Sequence, residues 1–165
     1  MIRLVIVDDM PDIRNYLAEE LAAASEQFSV VGAAEDGTEA VKLVDSLLPD
    51  VVLMDIQMKT RTEGIYAIRI IHERHPDIKC IALTIHEDDE LIFQAYLAGA
   101  ADYIIKTRSI DTIKNSILAV VNNRLLLRPE VGQRLIQEYQ RVQNQENRMK
   151  ETCLLYTSPS PRDRG

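Results

Sequence analysis

Two adjacent aspartates, Asp8 and Asp9, and a third, Asp55, each stand at the end of a short apolar run, residues 4–7 and 51–54 respectively. Thr84 closes a third run, residues 81–83, and Lys106 a fourth, residues 103–105. If the runs are strands, each delivers its polar residue to one rim. Three carboxylates gathered there repel one another, so either their protonation shifts or a cation joins them. An oxygen-only donor set with room for water suits Mg²⁺ better than a soft metal. Lys106 adds a mobile positive charge and Thr84 a hydroxyl, which together make a receptor for a phosphoryl group. Asp55 would attack phosphorus and form an acyl phosphate, as carboxylates do in covalent catalysis. Phosphoryl transfer asks mostly for alignment and charge neutralisation. A carboxylate is already ionised and needs no general base, and none of His72, His75 and His86 is placed to act as one.

The elements that must position these groups follow from the apolar pattern. Four consecutive apolar residues before Asp55 read as a strand covered on both faces, as in a parallel sheet. Strands are expected at residues 2–7, 28–33, 51–55, 79–84 and 102–105. Between them the apolar residues recur at helical spacing: Ile13, Leu17, Leu21 and Ala24; Val41, Val44 and Leu48; Ile65, Ile68 and Ile71; Leu91, Ile92 and Tyr96; Ile110, Ile113 and Ile117. Pro11 suits a first helical turn, Thr38 is the expected N-cap of the second helix, and Gly99 closes the fourth. Strict alternation predicts an α/β, flavodoxin-like (βα)5 fold, a five-stranded parallel sheet with helices on both faces. With the first strand between the second and third, Asp8, Asp9 and Asp55 converge at the carboxyl rim, where open α/β sheets bind ligands.

Composition narrows the class. The 165 residues are 46% hydrophobic, enough for a core, and the formal charge of −7 argues against gripping nucleic acid by the overall field. No apolar run is long enough to span a membrane, and Met1 leads straight into a strand without a charged and then apolar leader. Two cysteines, Cys80 in an apolar run and Cys153 near the end, make no disulfide framework, and a reducing cytoplasm is expected.

The stretches DD at 8–9, VVLMD ending at 55, ALT ending at 84 and GAADYIIK ending at 106 resemble the receiver domain of bacterial two-component response regulators. The likeness covers roughly residues 2–123. It implies that Asp55 is the phosphoacceptor, that Asp8, Asp9 and Asp55 hold Mg²⁺ with a backbone carbonyl lent by Gln57, and that Lys106 binds the phosphate. Thr84 and Tyr103 match the pair that reorients on phosphorylation. The implied donor is a phosphohistidine of a sensor histidine kinase, and a homodimer on phosphorylation is a further implied assembly. Thr107 after Lys106, and LLLRPEVGQRLI beyond it, resemble NarL/FixJ-type regulators, which continue into a DNA-binding helix-turn-helix domain. On that likeness the chain stops before its output domain.

Three places depart from the family pattern: Lys59 stands where proline is usual, Gly64 comes one residue late, and Ile85 follows Thr84 in place of a small residue. Ile85 is expected to restrict small phosphodonors. Other classes fit less well. A phosphatase working through an aspartyl phosphate wants a carboxylate at Gln57, and a flavin or dinucleotide binder wants glycines in DDMPD. A degenerate receiver used as an interaction module is the alternative within the family.

The expected organisation is a receiver over residues 1–124, a linker helix over 125–152 and a foreign tail over 153–165. Val131, Leu135, Tyr139, Val142 and Met149 make a narrow stripe, either packed on its own domain or forming a weak coiled-coil seam. CLLYTSPSPRD resembles the conceptual translation of a sequencing adapter and is excluded from fold reasoning.

Overall fold

The computed structural model describes residues 1–60, 62–85, 87–106, 109–124 and 129–157. Strands β1 (Ile2–Val7), β2 (Phe28–Ala34), β3 (Val51–Asp55), β4 (Lys79–Thr84) and β5 (Asp102–Ile105) alternate with helices α1 (Pro11–Ala24), α2 (Gly37–Leu47), α3 (Glu63–Arg74), α4 (Asp89–Ala98) and α5 (Ile110–Val121). A sixth helix, α6, runs over Pro129–Thr157. All strand pairs are parallel, in the order β2-β1-β3-β4-β5. The expected flavodoxin-like sheet is therefore present.

Burial explains why the central strands are apolar throughout. Residues 51–54 of β3 and 4–7 of β1 are fully buried, because α1 beside α5 covers one face and α2, α3 and α4 the other. Leu17 and Leu21 of α1, Ile68 and Ile71 of α3, and Ile113 and Ile117 of α5 close the layers. Register then fixes the rim: Val7 lies opposite Met54, Asp55 opposite Leu83 and Thr84 opposite Ile105. One step beyond those pairs, Asp8 comes beside Asp55 and Lys106 beside Ile85, with the Lys106 N–H reaching back to the Thr84 carbonyl.

Helix α2 begins differently from expectation. Asp36, not Thr38, is its N-cap: the extended backbone of Asp36 lets its carboxylate accept the Glu39 N–H at 2.8 Å. Thr38 falls inside the first turn. Leu48 does not belong to the buried stripe either; it caps the helix in the left-handed region at φ 47° and is 55% exposed. Pro49 disfavours helical backbone in the residue before it, so the chain leaves the helix there. The guanidinium of Arg3 donates to the carbonyls of Leu47 and Leu48 at 2.6 and 2.9 Å, placing positive charge on the carboxyl end of α2. Asp50 in turn accepts the Arg3 backbone N–H at 2.8 Å.

The chain divides into two units, Met1–Leu127 and Arg128–Gly165. Within the second, Glu138 pairs with Arg134 and Arg141 along α6, and Tyr139, Val142 and Met149 of the expected stripe are exposed. Helix α6 starts after residue 125 and runs past 152 into the segment read as foreign. Residues 125–128 and 158–165 lie outside the described residues. Among the described residues no helix is long and apolar enough to cross a membrane.

Gly64 ties the start of α3 to the exit of β3. A β-carbon there would sit 2.2 Å from the Asp55 carbonyl oxygen and 2.4 Å from the Ile56 Cα, both backbone atoms. Gly64→Ala is therefore expected to lower stability by about 1–3 kcal/mol, the usual range for overpacking. Urea unfolding checks this, and an unchanged midpoint would show that the close approach relaxes freely.

Candidate functional site

The carboxyl rim gathers its groups through backbone geometry. Asp8 follows the last residue of β1 and is fully buried; its Oδ1 accepts the Met10 N–H at 2.9 Å. Asp55 ends β3, is 2% exposed, and its Oδ1 accepts the Gln57 N–H at 3.0 Å. These local bonds leave the Oδ2 atoms free to face Lys106, whose Nζ lies 2.6 Å from Asp8 Oδ2 and 3.1 Å from Asp55 Oδ2. Lys106 is itself fixed by its N–H bond to the Thr84 carbonyl at 2.6 Å. Asp9 is more exposed than Asp8, and single oxygens of Asp8, Asp9 and Asp55 all lie within 4.8 Å of one another. Hard, anionic oxygen donors of this kind fit a divalent cation such as Mg²⁺.

Of the two expected responses to crowded carboxylates, a protonation shift or a bound cation, Asp55 carries the first, with burial as its leading cause. Burial pushes the Asp55 carboxyl up to about 6; Lys106 pulls it down, Asp8 pushes it up, and the Gln57 N–H pulls it down. Desolvation therefore outweighs the push from the Asp8 carboxylate.

Thr84 and Tyr103 meet beside this centre. Thr84 is buried and donates its hydroxyl hydrogen to Gln57 Oε1 at 2.9 Å. Tyr103 is also buried, and burial raises its hydroxyl above the usual value; a side-chain hydrogen bond with Thr84 lowers it, while Asp88 and Glu87 contribute upward pushes. Gln57 thus approaches the rim twice, by its N–H on Asp55 and its side chain on Thr84. Ile85 is 53% exposed next to Thr84. Lys59, in the loop after β3, reaches Asp36 at 3.8 Å. His86 and Thr107 lie outside the described residues.

Two features were not anticipated from sequence. Asp45 joins Arg74 and His75, each at 2.7 Å, and these bonds hold its carboxyl below the usual range, His75 first. His75 is half-buried and engaged by Asp45. Asp102 is a buried carboxylate bonded to Ser116 of α5. A serine on the apolar stripe of Ile113, Ile117 and Val120 was the available signal. Cys80 is a core residue, as expected, its thiol pushed up to about 12 by burial.

Comparison with known proteins places the same residues in a family. Residues 4–118 match the response regulator receiver domain. The chain is 36% identical over 145 residues to the transcriptional regulatory protein DegU of Brevibacillus brevis, covering 88% of this chain and 61% of that protein. It is 35% identical to the transcriptional regulatory protein LiaR of Bacillus subtilis (strain 168), covering 82% and 64%. Among solved structures, a LuxR-family two-component response regulator from Aurantimonas sp. SI85-9A1 aligns with a TM-score of 0.72 at 27% identity, covering 83% of this chain and 96% of that one. The receiver domain of the putative regulator NarL from Mycobacterium tuberculosis aligns at 0.69 and 27%, covering 74% and 98%. The chain thus spans less than two thirds of the length of both relatives.

The shift of Asp55 carries a sign for stability. Its folded value, about 6, exceeds the ordinary 3.8. Its contribution is therefore fully present below about pH 4 and lost as pH rises through 6, where the buried carboxyl ionises at a cost of up to about 3 kcal/mol. In metal-free buffer Asp55→Asn is expected to be the more stable protein near neutral pH, with the gain vanishing in acid. Paired denaturation curves across pH measure the difference, and a gain that grew toward low pH would contradict it.

Proposed function

Because the chain belongs to the response regulator receiver domain family, a family of signalling domains, we propose that Asp55 accepts a phosphoryl group from a phosphohistidine of a sensor histidine kinase. The observation that carries this reading is the Lys106 ammonium held between the buried carboxylates of Asp8 and Asp55. A carboxylate oxygen of Asp55 attacks phosphorus, the P–N bond of the donor breaks, and the imidazole nitrogen keeps the electron pair. Lys106 leaves Asp8 and Asp55 to neutralise a phosphoryl oxygen, and Thr84 offers its hydroxyl to another. Asp8, Asp9 and Asp55, with the Gln57 carbonyl, would hold Mg²⁺, which when bound supplies charge neutralisation at the phosphoryl oxygens. The buried, lysine-paired acids favour this over a degenerate receiver serving only as an interaction module.

The switch follows from the contacts of Thr84. To reach the phosphoryl group its hydroxyl gives up Gln57 and Tyr103, and the Tyr103 ring moves into the space released. The faces of β4, α4 and β5 then differ between the two states, for a partner or a second protomer to read. DegU and LiaR bear the names of transcriptional regulators and are longer than this chain. On this reading the output is transcription in the cytoplasm, with DNA bound by a helix-turn-helix domain that follows the linker at 125–152. Residues 153–165 are the adapter-derived tail, and a genomic reading frame lacking those codons is the expected finding.

Incubation with a phosphorylated kinase and Mg²⁺ should transfer label to the wild-type chain and not to Asp55→Asn, and chelation of the metal should abolish transfer. Label retained by Asp55→Asn would place the acceptor elsewhere. Ile85→Ala should speed phosphorylation by acetyl phosphate several-fold by opening the entrance beside Thr84; equal rates would remove Ile85 as a gate.

A further inference from the structure

Five polar side chains are buried among the described residues: Asp8, Asp55, Thr84, Asp102 and Ser116. The proposed phosphoacceptor site uses the first three. Asp102 opens β5, one residue before Tyr103, and its two oxygens face three elements. Oδ1 accepts the Tyr103 backbone N–H at 2.7 Å and stands 3.5 Å from the Tyr96 hydroxyl of α4. Oδ2 accepts the Ser116 hydroxyl of α5 at 2.5 Å. A carboxylate is a rigid plane, so a displacement of either oxygen is felt at the other.

We infer that Asp102 is a positioning residue that ties the Tyr103 backbone to α4 through Tyr96 and to α5 through Ser116. This rests on reading Tyr103 as the moving partner of Thr84. Movement of Tyr103 draws on its N–H, the carboxylate follows, and the two hydroxyls carry the displacement into separate helices. The Ser116 arm is the short, stiff one, and the Tyr96 arm, at 3.5 Å, is a long and weaker contact. Ser116 supports the assignment by position: it interrupts the buried apolar stripe of α5 at the place that meets Asp102.

The two arms can be cut independently. Amide chemical shifts of the whole chain are recorded with and without Mg²⁺ and beryllofluoride, alongside fluorinated tyrosine, its Tyr103 signal assigned with Tyr103→Phe. In wild type, residues around Asp55, the Tyr103 signal, α4 and α5 are expected to shift. Ser116→Ala should lose at least half of the α5 response and keep that of α4 and of the residues around Asp55. Tyr96→Phe should do the converse. A merely structural role would not separate the two helices. Equal propagation in both variants and wild type overturns the inference alone. A wild type that does not respond around Asp55 overturns the phosphoacceptor reading and the inference with it. Should Ser116→Ala fail to fold, Tyr96→Phe, which removes one partly exposed hydroxyl, decides the matter by whether α4 still follows.

Discussion

The ammonium of Lys106 wedged between two desolvated carboxylates is the constraint on which the rim depends. Burial alone would drive Asp55 further toward its neutral form, and the two carboxylates repel each other. With the lysine shared between them, Asp8 and Asp55 lie close enough for their oxygens to act jointly, and Asp55 retains a value of about 6 that a divalent cation or a phosphoryl group can bias further. The sheet exists, in this sense, to hold three strand ends in one register. A slip of one residue between β1 and β3 would turn one aspartate toward the opposite face.

Much of this was legible because it obeys local rules. Apolar runs ending in Asp8, Asp55, Thr84 and Lys106 identified both strands and rim, and right-handed connections left few topologies to consider. What could not be read was the ranking of forces. The residue types suggested that repulsion between aspartates governs protonation, whereas at Asp55 depth of burial is the leading cause, and depth is a property of packing. The hydrogen bond from Thr84 to Gln57 was hidden for a similar reason: side-chain partners 27 positions apart depend on loop path, not on periodicity.

The differences at α2 have a local origin that the sequence contained but did not rank. Asp36 and Thr38 are both competent caps; Asp36 takes the role, and Gly37 at the start of the helix packs closely on Glu63 and Ala67 of α3. Leu48 looked like the next residue of the stripe and instead obeys the proline that follows it. Asp102 and Ser116 needed two weak cues combined, an acid at the start of an edge strand and a hydroxyl on an apolar helix face.

Arg3 offers a final lesson in layout. It secures the amino-terminal edge of the sheet, clasping the last carbonyls of α2 while its own amide is held by Asp50. The acidic cluster and the mechanical anchorage thus occupy opposite ends of the same strands. Loops at the carboxyl end, such as the stretches around Lys59 and Ile85, can change in length and character without loosening the end that keeps the strands together. Variation at one end of the sheet and preservation of architecture at the other need not compete for the same residues.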